Sequence, residues 1–286
     1  MNEDEQVETL AAGAVTDGRG RVGRMARGAW YGVWAQAVDK ILPVAVLLYL
    51  ARTLSPDDFG VYAFVLTYLM FFQTLSDYGI DTILVRTMSQ KPAQRAEILR
   101  SGLGLKLLLA ILSAALSVAL VGLVSGGNVP YGLMAVAALS LPTAYGGAYR
   151  AYFRSTLEIK KVFAIAIGRA LLYAGGVVVA VMADAGLGAL FLALSIANLL
   201  TFVVVANRLS KRIKPGFGFR SDIWRELMRG SIPLVANAFA ITVSLRIAQV
   251  LLMSMRGPVE VGLISAASRV SEAFGVLPEA LMVTVY

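Results

Sequence analysis

The chain reads as an all-α, polytopic membrane protein of about eight transmembrane helices, one complete six-helix bundle followed by the first two helices of a second. Three observations predict this. Hydrophobic residues fill 58% of the sequence and charged ones 15%, against roughly 45–50% and about 25% in a soluble domain, and the mean hydropathy is +0.72. The apolar residues fall in runs of about 20, the length a helix needs to cross a hydrocarbon core of about 30 Å. The basic residues collect in every second gap between those runs.

Residues 1–28 begin with Glu3, Asp4 and Glu5 and continue through small residues to Arg19, Arg21, Arg24 and Arg27. They lack the continuous apolar stretch of a signal peptide and read as a disordered cytoplasmic tail. Spans follow near 29–51, 59–80, 102–124, 131–149, 162–183 and 187–207, which form the first bundle. A basic cytoplasmic linker, 208–230, comes next; its end, FRSDIWRELMRG, sets Ile223, Trp224, Leu227 and Met228 apart from Arg220, Arg225, Glu226 and Arg229 and predicts an interfacial helix. The last segment, 231–286, supplies spans near 231–255 and 261–286.

Orientation follows from lysine and arginine in the connections. Twenty-one of the 26 basic residues lie in the tail, the 2–3 connection (Arg86, Lys91, Arg95, Arg100, Lys106), the 4–5 connection and the 6–7 linker. The alternate connections TLSPDD, SGGNVP and ADAG hold none. The N-terminus is therefore expected inside, and the net charge of +8 is a topology signal rather than a nucleic-acid surface. The sequence has no cysteine and no histidine, which excludes disulfides, Cys/His metal sites and Cys or His nucleophile–base pairs. No metal site or cofactor is expected; a coupling ion or the membrane potential stays open as an energy source.

Sliding the sequence by 202 positions aligns the first connection with the seventh. Leu50 falls on Leu252, Pro56 on Pro258, Asp58 on Glu260 and Gly60 on Gly262. In both places a proline opens a turn, an acid sits at the start of the next helix, and a glycine permits close packing. Two repeated halves suit a transporter with its substrate path between them. The second half holds only two helices, so the chain is expected to be shorter than the architecture it encodes.

Charges inside the spans are the candidate site. Lys40 lies roughly 15 Å from either end of its helix, too deep to face lipid cheaply. Gln36, Asp39, Lys40 and Pro43 form one polar stripe. The eighth span repeats that spacing with Ser265, Ser268, Arg269 and Glu272, and the seventh carries Thr242, Arg246 and Gln249. Lys40, Arg246 and Arg269 are thus expected to line a hydrated cationic cavity, supported by Gln36, Asp39, Gln249 and Glu272. Arg169 and Asp77 are outlying candidates for the same cavity: Arg169 can also snorkel, and Asp77 and Asp81 can also be interfacial. Structural readings compete for Asp39–Lys40 and for Arg269–Glu272 as ion pairs. Asn198 and Asn237 read as interhelical hydrogen-bond partners.

Two stretches carry a family resemblance: ARTLSPDDFGVYAFVLTYLMFFQTLSDYGI at 51–80 and QVLLMSMRGPVEVGLISAASRVSEAFGVLP at 249–278. The first resembles the L-x-P-x-D-[FY]-G-x-[YF] signature, with D-x-G at its close, of the polysaccharide flippases in the multidrug/oligosaccharidyl-lipid/polysaccharide exporter superfamily. The resemblance implies two six-helix bundles around a V-shaped cavity lined by helices 1, 2, 7 and 8. By alternating access such a protein moves a polyprenyl-diphosphate-linked oligosaccharide across the bacterial cytoplasmic membrane for cell-surface polysaccharide synthesis. It also implies membrane lipids, the lipid-linked glycan and other glycan-assembly proteins as partners, and no enzymatic activity of its own. Arg246-Ile247-Ala248-Gln249 stands where many relatives carry an acid, which argues against carboxylate-based ion coupling there. The alternatives are a multidrug or metabolite exporter of the same superfamily, an inactive remnant, and, least favoured, a membrane enzyme of glycan assembly, which would need larger outer loops.

Overall fold

The computed structural model describes residues 42–143, 147–156, 158–210, 216–269 and 271. The tail, the expected stripe of Gln36, Asp39 and Lys40, and Glu272 lie outside the described residues.

Eleven helices are described, with no strand among the described residues. The first, α1, covers Leu42–Thr53, and α2 covers Pro56–Asp77. Ser55 caps α2: its hydroxyl accepts from the Asp58 N–H at 3.1 Å and donates to the Asp58 carboxylate at 2.7 Å. Pro56 takes the first turn, where no N–H is needed, and Asp57 and Asp58 complement the helix dipole. The helix ends at Tyr78, which is left-handed at φ 47°, followed by Gly79 at φ 66°.

Immediately beyond, α3 (Ile80–Gln90) starts a new helix. It buries Ile80, Leu84, Thr87 and Met88, a spacing that makes one helical face. A 3₁₀ turn at Pro92–Gln94 then leads into α4, Arg95–Ser125. Much of the basic 2–3 connection is therefore helical, and α4 begins seven residues before the expected span. At about 46 Å, α4 exceeds the length a bilayer core requires.

The fourth apolar run is broken into α5 (Tyr131–Ala138), α6 (Ser140–Thr143) and α7 (Gly147–Ser155). Pro142 lies within α6 and can donate no hydrogen bond to the preceding turn, so a continuous apolar run does not become a continuous helix here. Helices α8 (Ile159–Met182) and α9 (Gly186–Ser210) form a hairpin whose turn is closed by the Ala185 N–H donating to Ala180 O at 3.1 Å.

Helix α10 runs from Ser221 to Arg256, passing through the expected linker–span junction and Pro233 without interruption. Gly257 at φ 90° turns the chain into α11, 258–269. Five helical stretches are long and apolar enough to cross a membrane: 56–90, 92–125, 160–182, 186–210 and 221–256.

Helices α2 and α10 pack antiparallel along their length. Gly60 meets Pro258, Thr67 bonds Gln249, Thr74 bonds Thr242, and Gly79 meets Leu234. At the basic end the segment before α10 docks on α4. The Gly218 N–H donates to Arg100 O at 3.0 Å and the Trp224 indole N–H to Ser101 O at 2.9 Å.

The buried apolar side chains form two clusters. One gathers Leu50, Phe64, Val65, Phe72, Val121, Met134, Phe191 and Met253 at the sparsely charged end. The other gathers Ile80, Leu84, Met88, Leu99, Phe153, Val205, Ile223 and Leu227 at the basic end. The residues between them, at mid-length of the long helices, hold the site.

Candidate functional site

The break after α2 places two carboxylates around one lysine. Lys106, on α4, is 2% exposed; its Nζ lies 3.0 Å from Asp77 and 2.7 Å from Asp81. Asp77 ends α2 and Asp81 opens α3, and the left-handed Tyr78–Gly79 step between them lets both point to α4. A lone buried ammonium costs several kcal/mol, which paired carboxylates offset. The sequence reading set Lys106 among the topology charges of a loop; the structure corrects this, since Lys106 is an interior residue. The signal was present in G-L-G-L-K-L-L-L, a single lysine with leucines on both sides.

Asp77 is half-exposed on its other side, where it helps line a cavity of about 260 Å³ inside the first bundle. The lining brings Gln73 and Asp77 from α2 together with Arg150 from α7, Arg169 from α8, and Asn198 and Thr201 from α9. Thr143 of α6 and the rings of Tyr149 and Phe202 complete this surface. The two rings stack with centroids 5.4 Å apart and planes at 21°. Asn198 donates to Ser140 O across the helices at 3.5 Å, the interhelical role expected of it. The two outlying candidates, Asp77 and Arg169, thus share one cavity, and Arg150 joins them. In the sequence Arg150 looked like a connection charge, because the helix breaks that bring α7 to the cavity were not visible there.

The other cations take a different position. Thr242, Arg246 and Gln249 face α2: the Thr67 hydroxyl donates to Gln249 Oε1 at 3.0 Å, and the Thr74 and Thr242 hydroxyls are 3.2 Å apart. Arg246 lies between those two pairs in the register, level with Met70, and is 7% exposed. From α11, Arg269 reaches the same level, with Nη2 4.0 Å from Met70 Sδ. Arg246 and Arg269 therefore converge on the α2–α10–α11 seam, and neither lines the cavity of the first bundle.

A tyrosine pair joins α2 to α8. The hydroxyls of Tyr62 on α2 and Tyr173 on α8 are hydrogen-bonded. Tyr62 belongs to the apolar cluster at the sparsely charged end and Tyr173 packs against it, so the hydroxyl pair is a polar contact within that core. No group of three or more acidic, cysteine or histidine side chains that could hold a metal occurs among the described residues.

Long apolar helices packed around two apolar cores define a multi-pass, all-α membrane protein. The model of the polysaccharide biosynthesis protein family matches residues 25–283, and the chain belongs to that family. Membership places the protein in polysaccharide biosynthesis or export. Comparison with curated proteins and with solved structures gives no significant match.

Proposed function

We propose that the protein translocates a polyprenyl-diphosphate-linked oligosaccharide across the bacterial cytoplasmic membrane, with its N-terminus inside, acting as a carrier rather than an enzyme. The observation that carries this reading is the convergence of Arg246 and Arg269 at the level of Met70, midway along the seam between the first bundle and the helices that begin the second. Positive charge held there in a low-dielectric layer is matched to a diphosphate that must cross the apolar interior. The repeat supports alternating access, because its two copies, α1–α2 and α10–α11, meet at this seam. Lys40 extends the cationic set in the proposal, with Gln36, Asp39 and Glu272 as supporting groups.

An exporter of cationic compounds would need an accessible, uncompensated acid. Asp77, the one acid among the described residues that line the cavity, is already bonded to Lys106.

The experiment is translocation in proteoliposomes. A fluorescent polyprenyl-diphosphate oligosaccharide is added with the protein, and label reaching the far leaflet is scored by a membrane-impermeant quencher. The intact protein is expected to equilibrate the label, and Arg246→Ala and Arg269→Ala to slow this by about tenfold or more, as loss of a charge-assisted contact implies. Equal rates in empty vesicles, or unchanged rates in both variants, would overturn the reading.

A further inference from the structure

We infer that the outward face of the first turns of α10 seats the headgroup of an anionic phospholipid, held by Arg225 and Arg229. The site does not depend on what the protein carries.

Helix length puts this face at the membrane surface. With 36 residues, α10 is about 54 Å long, well beyond the hydrocarbon core of about 30 Å. Its apolar run begins at Ile232, so residues 221–230 extend past the core at the basic end. Helical spacing then divides these turns into two sides. Ile223 and Leu227 are buried in the apolar cluster at that end, and Ser231 continues the same side. Arg225, Met228, Arg229 and Ile232 follow one another on the opposite side, and all four are exposed. At the start of the helix Phe219 lies against Trp224 and is 81% exposed, an aromatic ring of the kind that sits at headgroup level.

Charge selects the lipid. Both acids of these turns are matched by other cations: Asp222 by Arg220 at 2.6 Å and Glu226 by Lys91 at 3.0 Å. Arg225 and Arg229 make no ion pair among the described residues, which leaves two guanidinium groups one turn apart on the outward face. A headgroup with a net negative charge satisfies both, whereas the ammonium of a zwitterionic lipid competes with them for its phosphate. Met228 and Ile232 stand beside the arginines on that face and offer apolar surface to acyl chains. A ligand that carries phosphate and hydrocarbon together fits this alternation; a free phosphate or an acidic protein uses only half of it. A lipid seated there braces the end of α10 that Trp224 holds against α4.

The test is native mass spectrometry of the full chain in detergent, with phosphatidylglycerol and phosphatidylcholine as probes and inorganic phosphate as competitor. The first phosphatidylglycerol is expected to be held about 25-fold more tightly than phosphatidylcholine, from about fivefold for each arginine at an anionic surface. Arg225→Gln and Arg229→Gln should each lower the phosphatidylglycerol affinity about fivefold and leave phosphatidylcholine unchanged, and the double variant should lose the preference. Arg225→Lys should keep most of it, because the positive charge remains. Arg154→Gln, which removes the same charge from an exposed position elsewhere at the basic end, should keep all of it. Equal retention of the two lipids by the unaltered protein would overturn the inference, as would a preference that survives in the double variant. Full displacement of phosphatidylglycerol by an excess of inorganic phosphate would also overturn it, by assigning the arginines to a free anion.

Discussion

Gly60 lies so close to Pro258 that a β-carbon on it would sit 1.9 Å from the Pro258 carbonyl oxygen. Its repeat counterpart Gly262 occupies the same contact, with a β-carbon there falling 3.3 Å from the Gly60 Cα and 3.1 Å from the Phe59 ring. The internal repeat therefore has a steric purpose at this crossing: the two halves meet where each has given up its side chain. Gly60→Ala is expected to cost about 1–3 kcal/mol, the range for overpacking a tight contact, because the obstacle is backbone and cannot rotate away. Gly262→Ala should cost less, since a ring edge can yield. Thermal unfolding of the detergent-solubilised variants checks the order, and a Gly60→Ala protein as stable as the parent would contradict the packing.

Lys106 makes the second prediction. Lys106→Met leaves Asp77 and Asp81 without their shared cation, and because both carboxylates are partly exposed the cost is expected at about 1–3 kcal/mol, below that of a fully buried pair. Adding Asp77→Asn and Asp81→Asn removes the stranded charges and should recover most of the loss. Denaturation of the single and triple variants distinguishes this from loss of packing alone, in which case the triple variant would be at least as unstable as the single one.

A hydroxyl pair gives a sharper test of the same principle. In Tyr62→Phe the Tyr173 hydroxyl loses its partner, and in Tyr173→Phe the Tyr62 hydroxyl does; Tyr62 is 1% exposed. Each single change is expected to cost about 1–3 kcal/mol and the double change much less than the sum, since replacing both partners leaves nothing unsatisfied. Additive losses in a double-mutant cycle would show that the two hydroxyls do not depend on each other.

These contacts show what the sequence made legible. Long apolar runs announced the spans, and the Pro56–Gly60 and Pro258–Gly262 matches pointed to the two places that meet. The stripe of Thr242, Arg246 and Gln249 was visible because charge and amide stand out in an apolar helix. Its partners Thr67 and Thr74 were not, since threonine is ordinary in a span and only the antiparallel register pairs them. Helix α3 and the interior position of Lys106 were hidden for a related reason. Basic residues between two spans read as a loop unless the chain is seen to bend at Tyr78–Gly79 and return along α4. The cavity needed further tertiary knowledge, because its arginines come from α7 and α8 on either side of a connection.

At the basic end, charge and packing make separable contributions to holding α10 on the first bundle. Lys91 pairs with Glu226 at 3.0 Å and Arg220 with Glu97 at 2.6 Å, all four side chains close to half-exposed. Exposed pairs of this kind contribute about 0–1 kcal/mol and are screened by salt. Trp224 donates to Ser101 O and packs against Phe219 with ring centroids 4.1 Å apart, while Ile223 and Leu227 enter the apolar cluster beside it. Trp224→Ala is therefore expected to cost about 3 kcal/mol or more, as aromatic-to-alanine truncations do. Lys91→Ala should cost under about 1 kcal/mol, with its effect vanishing at high ionic strength. Limited proteolysis of the 216–220 segment at low and high salt checks both. The Trp224 variant should be cut faster at every salt concentration, whereas cleavage of the Lys91 variant should differ from the parent only at low salt. A clasp held mainly by charge would give the reverse order, with the parent itself opening as salt rises.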